Sequence, residues 1–185
     1  MLKRILVLGA VIVLVFVAAG CYPPEPPVPP KTSGLTEEVL KNAEYESGCI
    51  EGAAPMIDGK HYYSPPGDLM PGEEDIEYFT VIEEGLIAFG DLDGDGVEDA
   101  AVVLGSWTGG TGYYVGISAV SSQSGVPVNI ASECLGDRVL VNSIAIENNE
   151  IVLSVVTHGP DDALCCPTVE EEKRFKFDSD LLIEQ

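Results

Sequence analysis

Positive charge is what the sequence has least of. The 185-residue chain holds nine Lys and Arg residues against 31 Asp and Glu residues, which gives a formal net charge of −22. A surface of this sign repels the phosphates of nucleic acids and the headgroups of anionic lipids. We therefore expect no nucleic-acid partner, and we interpret the acidity as the solubility charge of a domain in a salty or calcium-rich exterior. A capacity for cations or basic partners is the alternative.

Long apolar runs are scarce as well. The longest, residues 5–20, holds 16 residues and falls short of the roughly 20 that a membrane-spanning helix needs. Two basic residues, Lys3 and Arg4, precede this run, and three small residues end it. A positive start, an apolar middle and a small-residue end are typical of a secretory signal peptide, so we assign residues 1–20 to a leader. An uncleaved transmembrane anchor is the alternative.

The end of this leader resembles the lipobox of bacterial lipoproteins, because Ala18-Ala19-Gly20 stands directly before Cys21. The resemblance implies that Cys21 becomes the first residue of the mature chain and carries acyl chains such as palmitate. It also implies a lipid anchor on the extracytoplasmic side of the bacterial cell envelope, where two or more acyl chains hold a protein stably. Residues 21–34 contain six prolines, which predicts a semi-rigid tether of about 3.1 Å per residue.

Residues 35–185 predict a single antiparallel domain that is mainly β, α+β at the margin. One short helix is expected at residues 35–43, because Thr36 can cap it and two glutamates follow the cap. The rest consists of short apolar or alternating segments between turn residues, which predicts about eight strands. The expected strands are residues 55–57, 60–63, 78–83, 86–89, 100–104, 113–120, 138–147, 151–157 and 174–177, with loops at 64–75 and 106–112.

An aspartate-rich segment between two expected strands is the strongest signal of a site. Its carboxylates stand at positions 1, 3, 5 and 9, and the residue at position 7 can offer its carbonyl. Two carboxylates about 5 Å apart repel by roughly 3 kcal/mol at an effective dielectric of about 20, so four converging ones need a cation. Calcium takes about six to eight oxygen ligands. The sequence therefore predicts a Ca²⁺ site with Asp91, Asp93, Asp95, Val97 and Asp99 as ligands.

This segment departs from the helix–loop–helix calcium motif, in which position 12 is a bidentate glutamate. Position 12 here is Val102, inside an apolar run. The spacing, with Phe89-Gly90 before it and Ala100-Ala101 after it, resembles the calcium loops of integrin-type (FG-GAP) repeats. We expect a structural cation that holds two strands together. The loop occurs once, which excludes a propeller of such units within this chain alone. Magnesium, or an acidic turn with solvated carboxylates, is the alternative.

Further blocks resemble a family of uncharacterised bacterial lipoproteins. They are Gly109-Gly110-Thr111-Gly112, residues 135–139 and Cys165-Cys166-Pro167-Thr168, which such proteins combine with one calcium-type loop. The resemblance covers about residues 40–178 and implies no activity. The glycine-rich block lacks the lysine of a phosphate-binding loop, so it predicts a hairpin connection.

Four cysteines remain outside the leader: Cys49, Cys134, Cys165 and Cys166. An exported location permits disulfides, and four cysteines allow three pairings among which the sequence does not choose. We expect two bridges between distant residues in preference to a ring of the adjacent pair. A zinc site or a thiol catalyst that uses His158 is the alternative. No fourth zinc ligand stands at a recognised spacing, and an oxidising exterior opposes a free thiolate.

These signals favour a non-catalytic binding or structural envelope lipoprotein with a calcium-stabilised β domain and an unidentified protein or glycan ligand. The alternative is an extracellular or cell-wall-directed enzyme with a site near His158 and Asp161. Trp107 and neighbouring tyrosines could form a sugar platform, although aromatics at strand ends are more often packing residues. An enzyme needs a concave site with convergent polar groups. Whether His158, Asp161 and Trp107 line one cleft therefore separates the two hypotheses.

Overall fold

The computed structural model describes residues 34–63, 78–123 and 125–185. The predicted leader, Cys21, nearly all of the proline-rich tether and the loop expected at residues 64–75 lie outside these described residues. Within the described ranges, none of the helical segments has the length and apolar character that crossing a bilayer requires.

The described chain is mainly antiparallel β with one short helix, which confirms the predicted fold class. The helix, α1 (Glu37–Leu40), is shorter than expected, and Thr36 caps it by accepting a hydrogen bond from the backbone N of Val39 at 3.2 Å. Eleven strands follow in the described ranges. They are β1 (Glu44–Glu46), β2 (Ala53–Pro55), β3 (Lys60–Tyr63), β4 (Tyr78–Gly90), β5 (Asp99–Trp107), β6 (Tyr114–Gln123), β7 (Val126–Asp137), β8 (Leu140–Glu147), β9 (Glu150–Thr157), β10 (Val169–Asp178) and β11 (Leu181–Glu184).

The strands form three sheets. A five-stranded sheet has the order β3-β4-β5-β6-β7, a four-stranded sheet has the order β11-β10-β9-β8, and β1 pairs with β2. The four-stranded sheet lies on one face of the five-stranded sheet, with β8 against β4 and β11 against β7. Helix α1 and the β1–β2 pair cover the other face.

The central strand β5 is buried on both faces, which explains why its sequence is a continuous apolar run. Ala101 and Val103 belong to the core between the two larger sheets, together with Ile117 and Phe175. The alternate residues Ala100, Val102 and Leu104 pack against α1 and the β1–β2 pair, where Leu40 and Tyr45 are buried. Because successive side chains of a strand point to opposite faces, β5 joins two cores.

Several strands differ from the expectation. The segments expected at 78–83 and 86–89 are one strand, β4, whose register against β5 shifts between Ile82 and Ile87. A bulge of this kind bends a strand without ending it, and Gly85 within it has a φ of 74°. The strand expected at residues 55–57 is displaced, since β2 ends at Pro55 and Ile57 forms only an isolated bridge with Lys60. Strands β1, β7 and β11 were not expected, because they are very short or lack a clean alternation of buried and exposed residues.

The disulfide prediction is half wrong. Cys49 pairs with the distant Cys134, with a Cα–Cα distance of 4.7 Å, as expected. Cys165 and Cys166 instead pair with each other. The adjacent cysteines lie in an exposed turn between β9 and β10, and the other two cysteines already satisfy each other at the edge of the five-stranded sheet. No distant partner is left for them among the described residues.

Candidate metal centre and neighbouring cleft

The aspartate loop connects β4 to β5 at one end of the five-stranded sheet. One carboxylate oxygen from each of Asp91, Asp93 and Asp99 lies within 4.8 Å of the others. Asp99 is also the first residue of β5, so the strand fixes the position of one carboxylate while the loop supplies the other two. The structure therefore brings together three of the five residues that the sequence predicts as ligands.

The loop is folded by hydrogen bonds from its own backbone to its carboxylates. Asp91 accepts from the N–H groups of Gly94 and Gly96, at 2.7 and 3.0 Å, through different oxygens. Asp93 accepts from the N–H of Asp95 at 3.0 Å. Gly94 and Gly96 have φ values of 83° and 79°, a region that residues with a Cβ avoid, and this lets the chain wrap around Asp91.

Asp99 is the buried member of the group, with 2% of its surface exposed. Its Oδ2 accepts a hydrogen bond from the N–H of Leu92 at 2.9 Å. Burial raises the pKa of the Asp99 carboxyl to about 6, and the nearby charges of Asp93 and Asp95 add to this increase. A buried carboxylate beside like charges is costly in its ionised form, and a cation among these groups would remove that cost.

The loop is attached to both layers of the domain. The side chain of Leu92 is buried in the core between the two larger sheets. Asn149, in the turn between β8 and β9, donates a hydrogen bond from Nδ2 to the backbone oxygen of Asp91 at 2.8 Å. The turn Asn148-Asn149 was predicted, but its contact with the loop was not, because the two are 58 residues apart in sequence. The loop thus joins the two sheets.

The donor set fits a hard divalent cation. With Ca²⁺–oxygen distances of about 2.3–2.6 Å, ligands on opposite sides of one ion lie about 5 Å apart, and the three carboxylate oxygens are compatible with that span. Asp95 lies outside this group of three, and its Oδ1 accepts a hydrogen bond from the N–H of Val97 at 2.6 Å. Carboxylates and carbonyls are the ligands of Ca²⁺ and Mg²⁺, and softer metals prefer sulfur or imidazole.

A separate cleft of about 840 Å³ opens between the two larger sheets. Val103 and Val115 line one side, Leu140 and Val141 line the other, and residues 165–167 complete the lining. None of its lining residues belongs to the aspartate loop. Its volume lies in the range of small-molecule sites, about 300–1,000 Å³. Sequence reasoning missed this cleft, since its walls come from strands far apart in the chain.

The polar groups of the cleft are held by specific partners. The Tyr113 hydroxyl donates to Glu83 Oε1 at 2.6 Å, and burial together with this bond raises the pKa of Tyr113. The guanidinium of Arg138 pairs with Asp137 and donates to the carbonyl of Thr111. The backbone N–H of Tyr113 donates to Asp137 Oδ1 at 2.8 Å, and this bond and the Arg138–Thr111 contact tie the glycine-rich connection to the turn at residues 135–139. Two of the three sequence blocks singled out above, residues 135–139 and 165–168, contribute to the lining of this cleft, and Arg138 joins the glycine-rich block to the first of them.

His158, Asp161 and Trp107 are not among the residues that line the cleft. In the turn near His158, Asp162 is the organising residue. It accepts hydrogen bonds from the backbone N of Gly159 and of Thr168, each at 2.8 Å, and from the Thr168 hydroxyl. These bonds hold the pKa of Asp162 below its usual value, and the charge of His158 contributes.

An aromatic cluster lies at the Trp107 end of the five-stranded sheet. The ring of Phe79 stacks with Trp107 at a centroid distance of 5.8 Å and contacts Tyr62 and Tyr113 at 6.3 and 6.4 Å. The indole of Trp107 donates a hydrogen bond to the carbonyl of Gly110 at 3.1 Å. The rings pack on one another across neighbouring strands, so their arrangement is that of a packed cluster at the sheet end.

Comparison of the chain with protein-family models, with curated proteins and with solved structures finds no match. The function is therefore inferred from the geometry described above.

Proposed function

We propose that this chain is an exported, lipid-anchored envelope protein whose β domain is stabilised by a structural Ca²⁺ ion in the aspartate loop. The domain is a non-catalytic binding or structural module in this proposal. The cation would lie among Asp91, Asp93 and Asp99, and the loop offers the Asp95 carboxylate and the Val97 carbonyl as further donors. Cys21 would carry the lipid anchor.

One observation carries the metal assignment, namely that three carboxylates meet at a point where one of them, Asp99, is buried. An exposed acidic turn would place its carboxylates in water, where repulsion is small. Here the strand β5 fixes Asp99 beneath the loop, while Leu92 and Asn149 hold the loop in place. Such a loop has structural consequences for both sheets, which favours a structural ion.

The cleft between the sheets supports the binding role. It presents an apolar lining with a few fixed polar groups, which is the usual composition of a ligand site. Enzymatic activity near His158 and Asp161 remains the alternative hypothesis, and the separation of these residues from the cleft gives it no support.

Thermal unfolding of the full chain, followed by circular dichroism in excess chelator and in Ca²⁺, tests the metal assignment. Calcium at a hundredfold its dissociation constant stabilises a protein by about 2.7 kcal/mol, which corresponds to roughly 5–10 °C in Tm for a domain of this size. We expect this increase for the native chain and its loss in Asp93→Asn. Intact mass of the membrane-extracted protein tests the anchor, with acyl chains expected on Cys21.

The matched control is Asp180→Asn, which removes an exposed carboxylate from the turn between β10 and β11. This variant should keep the full Ca²⁺-dependent increase in Tm. A melting curve that is identical in chelator and in Ca²⁺ would exclude a structural ion. A Ca²⁺ response that Asp93→Asn retains in full would place the ion elsewhere.

A further inference from the structure

We propose that the Cys165–Cys166 disulfide is a reversible thiol–disulfide exchange site at the margin of the cleft, and that its reaction partner is an exported dithiol. The two cysteines form one bond between adjacent residues, and both residues are exposed. This site shares no residue with the metal loop or the lipid anchor, and the choice of an exported partner rests on the proposed export of the chain.

Accessibility separates this bridge from the other one. Cys165 and Cys166 lie in the turn between β9 and β10, next to Leu164, which is 78% exposed. Cys49 and Cys134 are only half-exposed, and their bridge lies between the segment after β1 and the edge strand β7. Exchange begins with the approach of a thiolate to a disulfide sulfur, so the exposed bridge is the one that a dissolved dithiol can reach.

The turn does not depend on this bridge for its shape. Asp162 joins both ends of the turn through the hydrogen bonds from Gly159 and Thr168, and the N–H of Cys166 donates to the carbonyl of Ala163 at 2.9 Å. The stabilisation that a disulfide gives through chain entropy grows with the length of the loop it closes. A bridge between neighbouring residues closes almost no loop. It can therefore open and close without unfolding the domain.

The exchange is a two-electron reaction with two steps. A thiolate of the dithiol attacks one cysteine sulfur, a mixed disulfide forms, and the other cysteine leaves as a thiolate that takes a proton from water. The second thiol of the partner loses its proton and displaces the first cysteine. Cys165 and Cys166 end as two thiols, and the dithiol ends as a disulfide.

Opening the bridge would change the cleft, because residues 165–167 contribute to its lining. The bond restrains the peptide that joins the two cysteines, and its reduction frees that peptide and adds two polarisable thiols to the lining of the cleft. The cleft of the oxidised protein and that of the reduced protein thus differ in one wall.

The test is equilibration of the folded full chain with graded ratios of reduced to oxidised dithiothreitol, followed by acid quenching, maleimide labelling and mass spectrometry. At ratios where Cys49 and Cys134 remain unlabelled, we expect two labels that appear only after reduction, located on Cys165 and Cys166, and any label on Cys21 is counted separately. The labels should disappear when the oxidised reagent is restored before quenching. The Tm of the protein reduced at these two cysteines should equal that of the oxidised protein.

Two paired variants serve as controls. Cys165→Ser/Cys166→Ser should show no reduction-dependent labels at these ratios, and Cys49→Ser/Cys134→Ser, if it folds, should show the same two reduction-dependent labels as the native chain. Opening of both bridges at the same ratio, or opening of Cys165–Cys166 only in denaturant, would overturn the proposal. Both of these outcomes are measured on the native chain, so the test does not depend on the folding of either variant.

Discussion

Asp99 is a metal-site carboxylate and the start of the central strand at the same time. Its burial places a charge next to the apolar residues of β5, and the backbone N–H groups of Leu92 and Asp93 donate hydrogen bonds to its carboxylate. The spacing of the aspartates predicted the group, whereas the depth of Asp99 depends on tertiary packing. One residue thus links the loop to the double core around β5.

A second acidic residue, Asp162, gives a prediction about pH. Its pKa is lowered, first by the hydrogen bond from Gly159 and next by that from the Thr168 hydroxyl. A carboxylate whose pKa is lower in the folded than in the unfolded chain stabilises the fold. This stabilisation is fully present at pH values above the pKa of the unfolded chain, which is about 3.9. That contribution is lost as the pH falls through the folded pKa. Carbon NMR of the carboxyl group should therefore give a midpoint below about 3.9.

The matched variant for this titration is Thr168→Val, which removes the hydroxyl donor and keeps the size of the side chain. Its Asp162 midpoint should lie closer to the ordinary value than the native midpoint does, while the backbone donors of Gly159 and Thr168 persist. A native midpoint at or above about 4 would contradict the role assigned to these hydrogen bonds.

At the scale of elements, local chemistry predicted some features and packing decided others. The Thr36 cap, the Asn148-Asn149 turn and the buried run at β5 follow from residue type and periodicity, and the structure contains all three. The continuity of β4 does not follow from residue type, because Gly85 predicts an end of the strand. In the structure, β5 pairs with β4 on both sides of Gly85 and makes it one strand. Strand β7 was missed for a similar reason, since its half-buried sides show no alternation.

The β8–β9 turn gives the prediction at this scale. Asn149→Gly removes the hydrogen bond to the Asp91 carbonyl but keeps a residue that accepts the φ of 64° at this position. The free energy of unfolding should fall by about 1 kcal/mol, the net contribution of a typical hydrogen bond. Urea denaturation measures this change in the free energy of unfolding, once in chelator and once in Ca²⁺.

Asn148→Gly is the control for this turn, because Asn148 also has a positive φ, of 53°, and its side chain is in no described contact with the loop. It should leave the stability within about 0.5 kcal/mol of the native value, the range usual for surface substitutions. Equal effects of the two substitutions would show that the turn backbone, and not the hydrogen bond from Asn149 to Asp91, accounts for the change in the free energy of unfolding.

At the scale of the whole molecule, the five-stranded sheet is a shared wall between two cores, and each core has its own attachment. The aspartate loop and Asn149 join this sheet to the four-stranded sheet. On the other face, the Cys49–Cys134 bridge joins the segment after β1 to β7, and the hydroxyl of Ser118 in β6 donates a hydrogen bond to the carbonyl of Glu46 in β1 at 2.8 Å. The sequence indicated the aspartate loop but not its contact with Asn149. The second attachment also needed the structure, because cysteine counting leaves the pairing open.

The last prediction compares the two disulfides as determinants of global stability. The Cys49–Cys134 bridge spans 85 residues and connects the layer of α1 and β1 to the edge strand β7. Bridges that close long loops stabilise proteins by about 2–4 kcal/mol, mostly by restricting the unfolded chain. Cys49→Ser/Cys134→Ser should therefore lower the free energy of unfolding, measured in urea, by about that amount. Cys165→Ser/Cys166→Ser should lower it by less than about 1 kcal/mol, because the bridge between adjacent residues closes almost no loop. Equal losses in the two variants would mean that the turn between β9 and β10 contributes to the fold as much as the long bridge does.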